Sequence, residues 1–340
     1  MNAPLLHVSR WLFGINLLIA PLLVAQTATP ATGITAIPGI EVGHHTLSAR
    51  ATGCTVILAR AGAVGGVDVR GGAPGTSGTN TLDPINLVDQ VHAIVLTGGS
   101  AYGLASVDGV MRYLEDEKIG FEVGRGKVVP IVAGAVIFDL QLEPEGQRMR
   151  PDANAGYLAA QSASSATPAE GAVGAGAGAT IGKLLGADRA MRGGFGTASI
   201  TLPNGLIVAA AVVVNAAGDI VDPATGQIIA GARDASGEGF ADMRQILRSG
   251  DQTADPLPVE NTTIGVVATN AQLTKAQATK MAQMAQDGLA RTTYPAHSMI
   301  DGDTVFSLAT GGWTGPADVS QIGALAADVM TEAILRAVQP

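Results

Sequence analysis

Short apolar runs alternate with turns rich in glycine and alanine through residues 32–260. The clearest are 54–60 (CTVILAR), 92–97 (HAIVLT), 129–139 (VPIVAGAVIFD), 171–180 (GAVGAGAGAT), 197–202 (TASITL) and 206–214 (LIVAAAVVV). Each is predicted to be a β-strand from its length and bounding turns. Several lack polar alternation, so both faces must be covered, which predicts sheets packed between other layers. Helical spacing is found at 100–116 (SAYGLASVDGVMRYLED) and near 153–165. Residues 249–261 (SGDQTADPLPVEN) carry Pro256 and Pro258, lack periodicity and read as an exposed loop. A Thr- and Val-rich strand follows at 262–270, TTIGVVATN. Thr274 and Gln277 then have capping-box spacing. The helix they open turns Leu273, Ala276, Met281, Met284, Ala285 and Leu289 toward a core. The loop 293–304 leads to a short strand, VFSLAT. A last helix is predicted over 317–336, its buried face made by Ile322, Leu325, Ala326, Val329, Ile334 and Leu335.

The amino terminus follows a different pattern. Arg10 is the one charge in the first 40 residues, and the apolar stretch Trp11–Ala25 follows it, broken by Asn16 and Pro21. The small polar residues QTATPATG come next. This is the layout of a secretory signal peptide, with residues 1–31 as signal and exit region and Ala25, Ala28 or Ala31 as candidate last residues. An uncleaved N-terminal anchor is the alternative. The stretch is short for a membrane span. Export to a bacterial periplasm or the exterior is the expectation, with residues 32–340 forming a single domain.

Composition narrows the classes. The chain has 340 residues, 47% hydrophobic and 14% charged, which excludes a disordered chain. Lys and Arg number 20 against 29 Asp and Glu, a net charge of −9. Without a basic run, and with 4% aromatics, nucleic acid is not an expected partner. Cys54 is the only cysteine, so no intrachain disulfide or cysteine-based zinc site can form.

Some motifs are deceptive. Residues 174–185 (GAGAGATIGKLL) approach a phosphate loop, but Ala177 and Leu184 stand where Gly and Ser or Thr are required. GGSAYG (98–103) approaches a nucleophile elbow around Ser100, with Tyr102 in place of the second glycine. It reads better as a tight strand-to-helix turn. Its required histidine would come from His44, His45, His92 or His297, and no pattern favours one. His44 and His45 are adjacent, point to opposite faces of a strand, and are expected to be exposed polar residues rather than metal ligands.

Chemistry concentrates at Glu260-Asn261-Thr262-Thr263-Ile264, where a proline-bearing loop meets a strand that begins with threonine. A hydroxyl there can attack the peptide bond before it and leave Thr262 with a free α-amine. The reference pKa of such an amine is about 7.7–8.0, so it can act as base for the same residue's hydroxyl. Neither metal nor histidine is needed. Alone, Asn-Thr-Thr is equally an ordinary strand entry.

Taken together, residues 260–311, VDVRGGAPGTSGTN (67–80), LTGGSAYGL (96–104), AVIFDL (135–140), GAGAGATIGK (174–183) and VVVNAAGDIVD (212–222) resemble the L-aminopeptidase/D-esterase, β-peptidyl aminopeptidase and nylon-oligomer hydrolase family. The resemblance implies an αββα four-layer sandwich of the N-terminal-nucleophile-like type. It implies a precursor cut between Asn261 and Thr262 into an α chain (about 32–261) and a β chain (262–340). It also implies a small peptide or amide substrate, no cofactor and a homo-oligomer, commonly a tetramer. Thr262 matches the family's nucleophile, Asn215 an asparagine suited to stabilise an oxyanion, and Lys183 a lysine near the nucleophile in the nylon-oligomer branch. Asp301 and Asp303 fall beside the nucleophile, to orient its amine or to receive a substrate amine. The aminopeptidase branch has Ser and Glu there. Phe138 stands where several relatives carry a tyrosine hydroxyl, so stabilisation must come from Asn215 or a backbone N–H. Phe138, Ser100 and Tyr102 are expected to line the pocket. The reaction implied is amide hydrolysis through an acyl-enzyme; an acyltransferase and a non-catalytic periplasmic binding protein on the same scaffold are the alternatives.

Overall fold

The computed structural model describes residue 1, residues 32–250 and residues 261–339. The apolar stretch Trp11–Ala25 and most of the proline-bearing loop (251–260) lie outside the described residues. The chain divides into the units Met1–Pro30 and Ala31–Pro340; the second carries the fold.

Nine strands form one mixed sheet. They are β1 (Glu41–Thr46), β2 (Gly53–Val69), β3 (Thr76–Ser77), β4 (Gln90–Thr97), β5 (Val132–Val136), β6 (Gly194–Thr201), β7 (Ile207–Asn215), β8 (Thr262–Ala271) and β9 (Thr304–Trp313). The principal helices are α1 (Ala105–Asp116), α2 (Ala153–Gln161), α3 (Met243–Ser249), α4 (Lys275–Thr292) and α5 (Val319–Ala337). The order across the sheet is β6-β7-β8-β9-β2-β4-β5-β3, with β1 paired to β2. The pairs β8–β9 and β4–β5 run parallel, and the remaining pairs are antiparallel.

The long strand β2 joins two halves that face each other. Strand periodicity sends alternate residues to opposite faces. Along β7, Ala209, Ala211 and Val213 meet Ile57, Ile94 and Phe306 in a central core, while Val208, Ala210 and Val212 pack outward on α4 and α5. In the other half, Ile94 and Leu96 point to that same centre, while Ala93 and Val95 pack on α1 and α2. The result is helix, sheet, sheet, helix, the layering that the family resemblance implies, with the sheet faces covered as the apolar runs predict. Among the described residues, no helix is long and apolar enough to cross a membrane.

Most predicted elements are present, and the differences have local causes. The run 171–180 is not one strand: Gly174–Gly178 is a 3-10 turn, and only Thr180 enters a two-residue strand, Thr180–Ile181. Gly174 has a φ of +51°, and its N–H donates to Thr46 Oγ1 while Ala175 donates to Thr55 Oγ1. Side-chain acceptors thus replace a neighbouring strand. The predicted strand 129–139 is reduced to β5. The capping box on α4 is present, but Ala276 is exposed and Ala278 and Ala282 join the buried stripe instead. His44 is not exposed: its ring packs edge-on against Phe195, Nδ1 bonds Thr55 Oγ1 at 2.9 Å, and burial pushes its pKa down to about 4. His45 is likewise half-buried.

Candidate active site

Strand register brings the sequence candidates together. In the antiparallel β7–β8 pair, Asn215 lies opposite Thr262, so the end of one strand faces the start of the next. β9 runs parallel to β8, with Ile264 beside Thr304. This places the segment before β9, Asp301-Gly302-Asp303, against the segment before β8. Asn261 and Asp301 form a parallel bridge, and the Gly302 N–H donates to the Asn261 carbonyl oxygen at 3.1 Å. The Thr262 hydroxyl also donates to that carbonyl oxygen. Both Asn261 and Thr262 are buried.

Backbone N–H groups of residues 70–73 hold this loop, Gly71 donating to Asp303 O at 3.2 Å and Gly72 to Ser298 O at 3.0 Å. The N–H groups of Arg70 and Ala73, just beyond β2, donate to the carbonyls of Asp303 and Asp301 at 3.0 and 2.8 Å. A side chain at Gly71 would meet Asp301 O at 2.3 Å, so glycine is required for that approach.

The two aspartates have different partners. Asp303 Oδ1 accepts from the Thr263 N–H at 2.8 Å, and Oδ2 accepts from the N–H of His297 and contacts its Nδ1, both at 2.9 Å. Asp301 Oδ2 accepts from the Ser298 N–H at 3.1 Å and from the Ser298 hydroxyl. Burial and the neighbouring Asp303 push the Asp301 carboxyl up to about 6, against the opposing pull of Ser298 and Lys183. Asp303 therefore holds the residue after Thr262, by its backbone, and is bonded to His297.

Asn215 is fixed by its own network. Its Oδ1 accepts from Thr180 N at 2.9 Å and Lys183 Nζ at 2.8 Å, and its Nδ2 donates to the Phe138 carbonyl at 3.0 Å. These donors set the amide's orientation. Lys183 also donates to the Asn215 carbonyl at 3.0 Å. Thr262, Asn215, Lys183, Asp301 and Asp303 thus converge at one end of the β7, β8 and β9 strands.

A cavity of ≈290 Å³ opens beside Thr262. Residues 73–75, Ser100, Ala101, Val136 and Phe138 line it with Asn261 and Thr262. Tyr102 does not: it is 60% exposed and packs under the Arg150 guanidinium, 3.8 Å from its ring centre. Ser100 has a φ of +52° and follows Gly99 in a tight strand-to-helix turn. The elbow reading of Ser100 gains no partner: among the described residues the ring nitrogens of His44, His92 and His297 bond Thr55, Ile131 and Asp303, and none bonds the Ser100 hydroxyl.

Asp139 escapes sequence reasoning. It is fully buried, with Oδ1 bonded to Arg50 and to the Gly99 N–H, both at 2.9 Å, and Oδ2 to the Thr52 hydroxyl at 2.5 Å. It thereby fixes the Gly98-Gly99-Ser100 wall of the cavity. An acid at the end of the otherwise apolar run 129–139 was the available signal. The Gly302 N–H and the His297–Asp303 contact had no signal, since both depend on loop conformation. Among the described residues no His, Cys, Asp and Glu cluster is arranged to hold a metal.

A family model for peptidase family S58 matches residues 32–339. An uncharacterized aminopeptidase of Mycobacterium leprae (strain TN) is 48% identical over 346 residues, covering 92% of this chain and 91% of that protein. A 6-aminohexanoate-oligomer endohydrolase of Kocuria sp. (strain KY2) is 33% identical over 315 residues, covering 88% and 84%. Among solved structures, a Burkholderia sp. beta-aminopeptidase superposes with a TM-score of 0.61 at 25% identity, covering 91% and 87%. The L-aminopeptidase D-Ala-esterase/amidase of Ochrobactrum anthropi, described as a variant of the Ntn hydrolase fold, superposes with a TM-score of 0.66 at 18% identity, covering 91% and 86%.

Proposed function

The chain belongs to peptidase family S58 and is a hydrolase of peptide or amide bonds; from that premise we propose that it activates itself by cutting Asn261–Thr262 and then works through the new N-terminal threonine. The observation that carries this reading is the Thr262 hydroxyl lying on the Asn261 carbonyl, whose oxygen also accepts the Gly302 N–H.

In the first step Thr262 Oγ1 attacks the Asn261 carbonyl carbon and its proton leaves toward the peptide nitrogen. The oxygen that becomes negative is the one already bonded to the Gly302 N–H, which supplies backbone oxyanion stabilisation without reorganisation. The C–N bond breaks, the nitrogen becomes an amine, and Asn261 is held as an ester on Thr262. Water hydrolyses the ester, leaving an Asn261 carboxylate and a free Thr262 amine.

In turnover, that amine accepts the Thr262 hydroxyl proton as Oγ1 attacks the substrate carbonyl, then delivers it to the leaving nitrogen. Water enters with the amine again as base. Lys183, bonded to Asn215 beside the nucleophile, disfavours a second positive charge and so favours the neutral amine. Asp303 keeps β8 aligned through the Thr263 N–H.

The test is acyl-enzyme trapping. Reaction with p-nitrophenyl butyrate and acid quenching should add one butyryl group to the fragment beginning at Thr262. A butyryl group on Ser100 instead would overturn the assignment. Arg10, the apolar stretch Trp11–Ala25 and the small residues after it support export to the periplasm or exterior. Assembly into a homo-oligomer rests on the family resemblance.

A further inference from the structure

We propose that the protein has a second binding site, apart from Thr262, for a short peptide with a free carboxylate and a free amine. The site is a cavity of ≈1160 Å³ at the carboxyl-terminal end of α5, which shares no lining residue with the cavity beside Thr262. At about 30 Å³ per water-sized atom, that volume takes on the order of forty non-hydrogen atoms, enough for a peptide of a few residues with its waters.

Charge is distributed unevenly in the lining. Three arginines, Arg192, Arg233 and Arg336, face two glutamates, Glu170 and Glu332, in a chain whose net charge is −9. One pair is already closed. Arg336 Nε and Nη2 donate to the two oxygens of Glu170 at 3.0 and 2.7 Å, and Glu170 also accepts the Thr197 N–H at 2.8 Å.

The other three charges are open. Among the described residues the Arg192 side chain makes no hydrogen bond or ion pair, and Arg233 Nη1 has only the Gly237 carbonyl at 3.3 Å. Glu332 is in no ion pair among those residues. Two guanidinium groups without a carboxylate offer the planar fork that binds one. Glu332 then suits an ammonium group and disfavours a doubly charged phosphate. Met191, Ile229 and Val338, half-buried in the same lining, offer apolar surface between the charges.

The cavity adjoins the back of the catalytic end. Arg192 lies opposite Thr180 in a two-residue antiparallel pair, and the Thr180 N–H holds Asn215 Oδ1 at 2.9 Å. A glutamine at 192 keeps that backbone pairing, so it removes the guanidinium and leaves the Thr262 cavity as it is.

The probe is the tripeptide of α-aminoisobutyric acid, whose quaternary α-carbons resist hydrolysis, titrated calorimetrically into the purified protein in low-salt buffer. Its C-terminal amide and its N-acetyl form each remove one charge. Saturable binding of the free tripeptide is expected, weakened about tenfold in the amide, which has no carboxylate for the arginines. The double variant Arg192→Gln, Arg233→Gln should show the same loss, with p-nitrophenyl butyrate hydrolysis within about twofold of wild type. Glu332→Gln should abolish the difference between the free and N-acetyl forms. No saturable binding, equal binding of the amide, or full affinity in the double variant overturns the proposal. Inorganic phosphate binding more tightly than the tripeptide overturns it as well.

Discussion

The amide of Gly302 donates to the carbonyl oxygen of Asn261 at 3.1 Å, on the bond that precedes the threonine at the head of β8. The contact comes from main-chain geometry alone. β8 and β9 run parallel, so the segments that enter them lie side by side, and a bridge between Asn261 and Asp301 leaves the Gly302 N–H aimed at the junction. The donor is on a loop that Arg70 and Ala73 hold in place, which is the preorganisation that oxyanion stabilisation needs.

Gly302 should not tolerate a side chain. A Cβ there would stand 2.9 Å from Thr262 Oγ1 and 2.9 Å from the Ala73 carbonyl. Gly302→Ala should keep the fold by circular dichroism but slow processing at least tenfold, about 1.4 kcal/mol of lost stabilisation. Time-resolved gel analysis of freshly expressed protein checks this; processing at the wild-type rate would remove Gly302 from the mechanism.

Asp301 should leave a mark on the pH dependence. Its folded pKa is raised from 3.8 to about 6, so the folded state holds its proton more tightly than the unfolded state does. Stability from this group is full below pH ~4 and is lost as pH rises toward 6. Asp301→Asn should therefore be more stable than wild type at pH 7 and gain nothing at pH 4. Urea midpoints at the two pH values decide it. Where turnover needs the ionised carboxylate, the wild-type rate should fall as pH drops through about 6, and Asp301→Asn should be slow across the whole range.

Breaking the Arg50–Asp139 pair should be costly. Both side chains are buried, at 2% and 0% exposure, and the bond is 2.9 Å. Arg50→Met strands the Asp139 charge with only Thr52 and the Gly99 N–H, and should destabilise the protein by about 3–5 kcal/mol. Urea unfolding measures it, and a loss below about 1 kcal/mol would show that the wall around Ser100 does not depend on the pair.

His297 should act through Asp303. Its N–H and Nδ1 both meet Asp303 Oδ2, and its φ is +56°, a region that Asn also adopts. His297→Ala should lower kcat and leave KM within about twofold, and His297→Asn, which keeps a side-chain donor, should recover much of the loss. Equal losses in both variants would assign His297 a packing role.

Much of the site was legible because strands translate sequence into position. A run apolar on both faces, ending in Asn215, and another beginning at Thr262 needed only their antiparallel register to bring the two together. Lys183 reached Asn215 from a turn whose Gly182 has a φ of +74°. Loop geometry was not legible in this way. The Gly302 N–H carries no side-chain signature, and Asp139 is informative only once Arg50 and Thr52, far away in sequence, are seen to surround it. The 174–178 turn was misread as strand because glycine and alanine alternate there without stating where their N–H groups go.

Intact-mass analysis of the purified protein beside Thr262→Ala tests the central claim most directly. Two fragments meeting between Asn261 and Thr262 in wild type, and one uncut chain in the variant, are the predicted result. One uncut chain in both, or fragments that persist in Thr262→Ala, would contradict self-processing by this threonine.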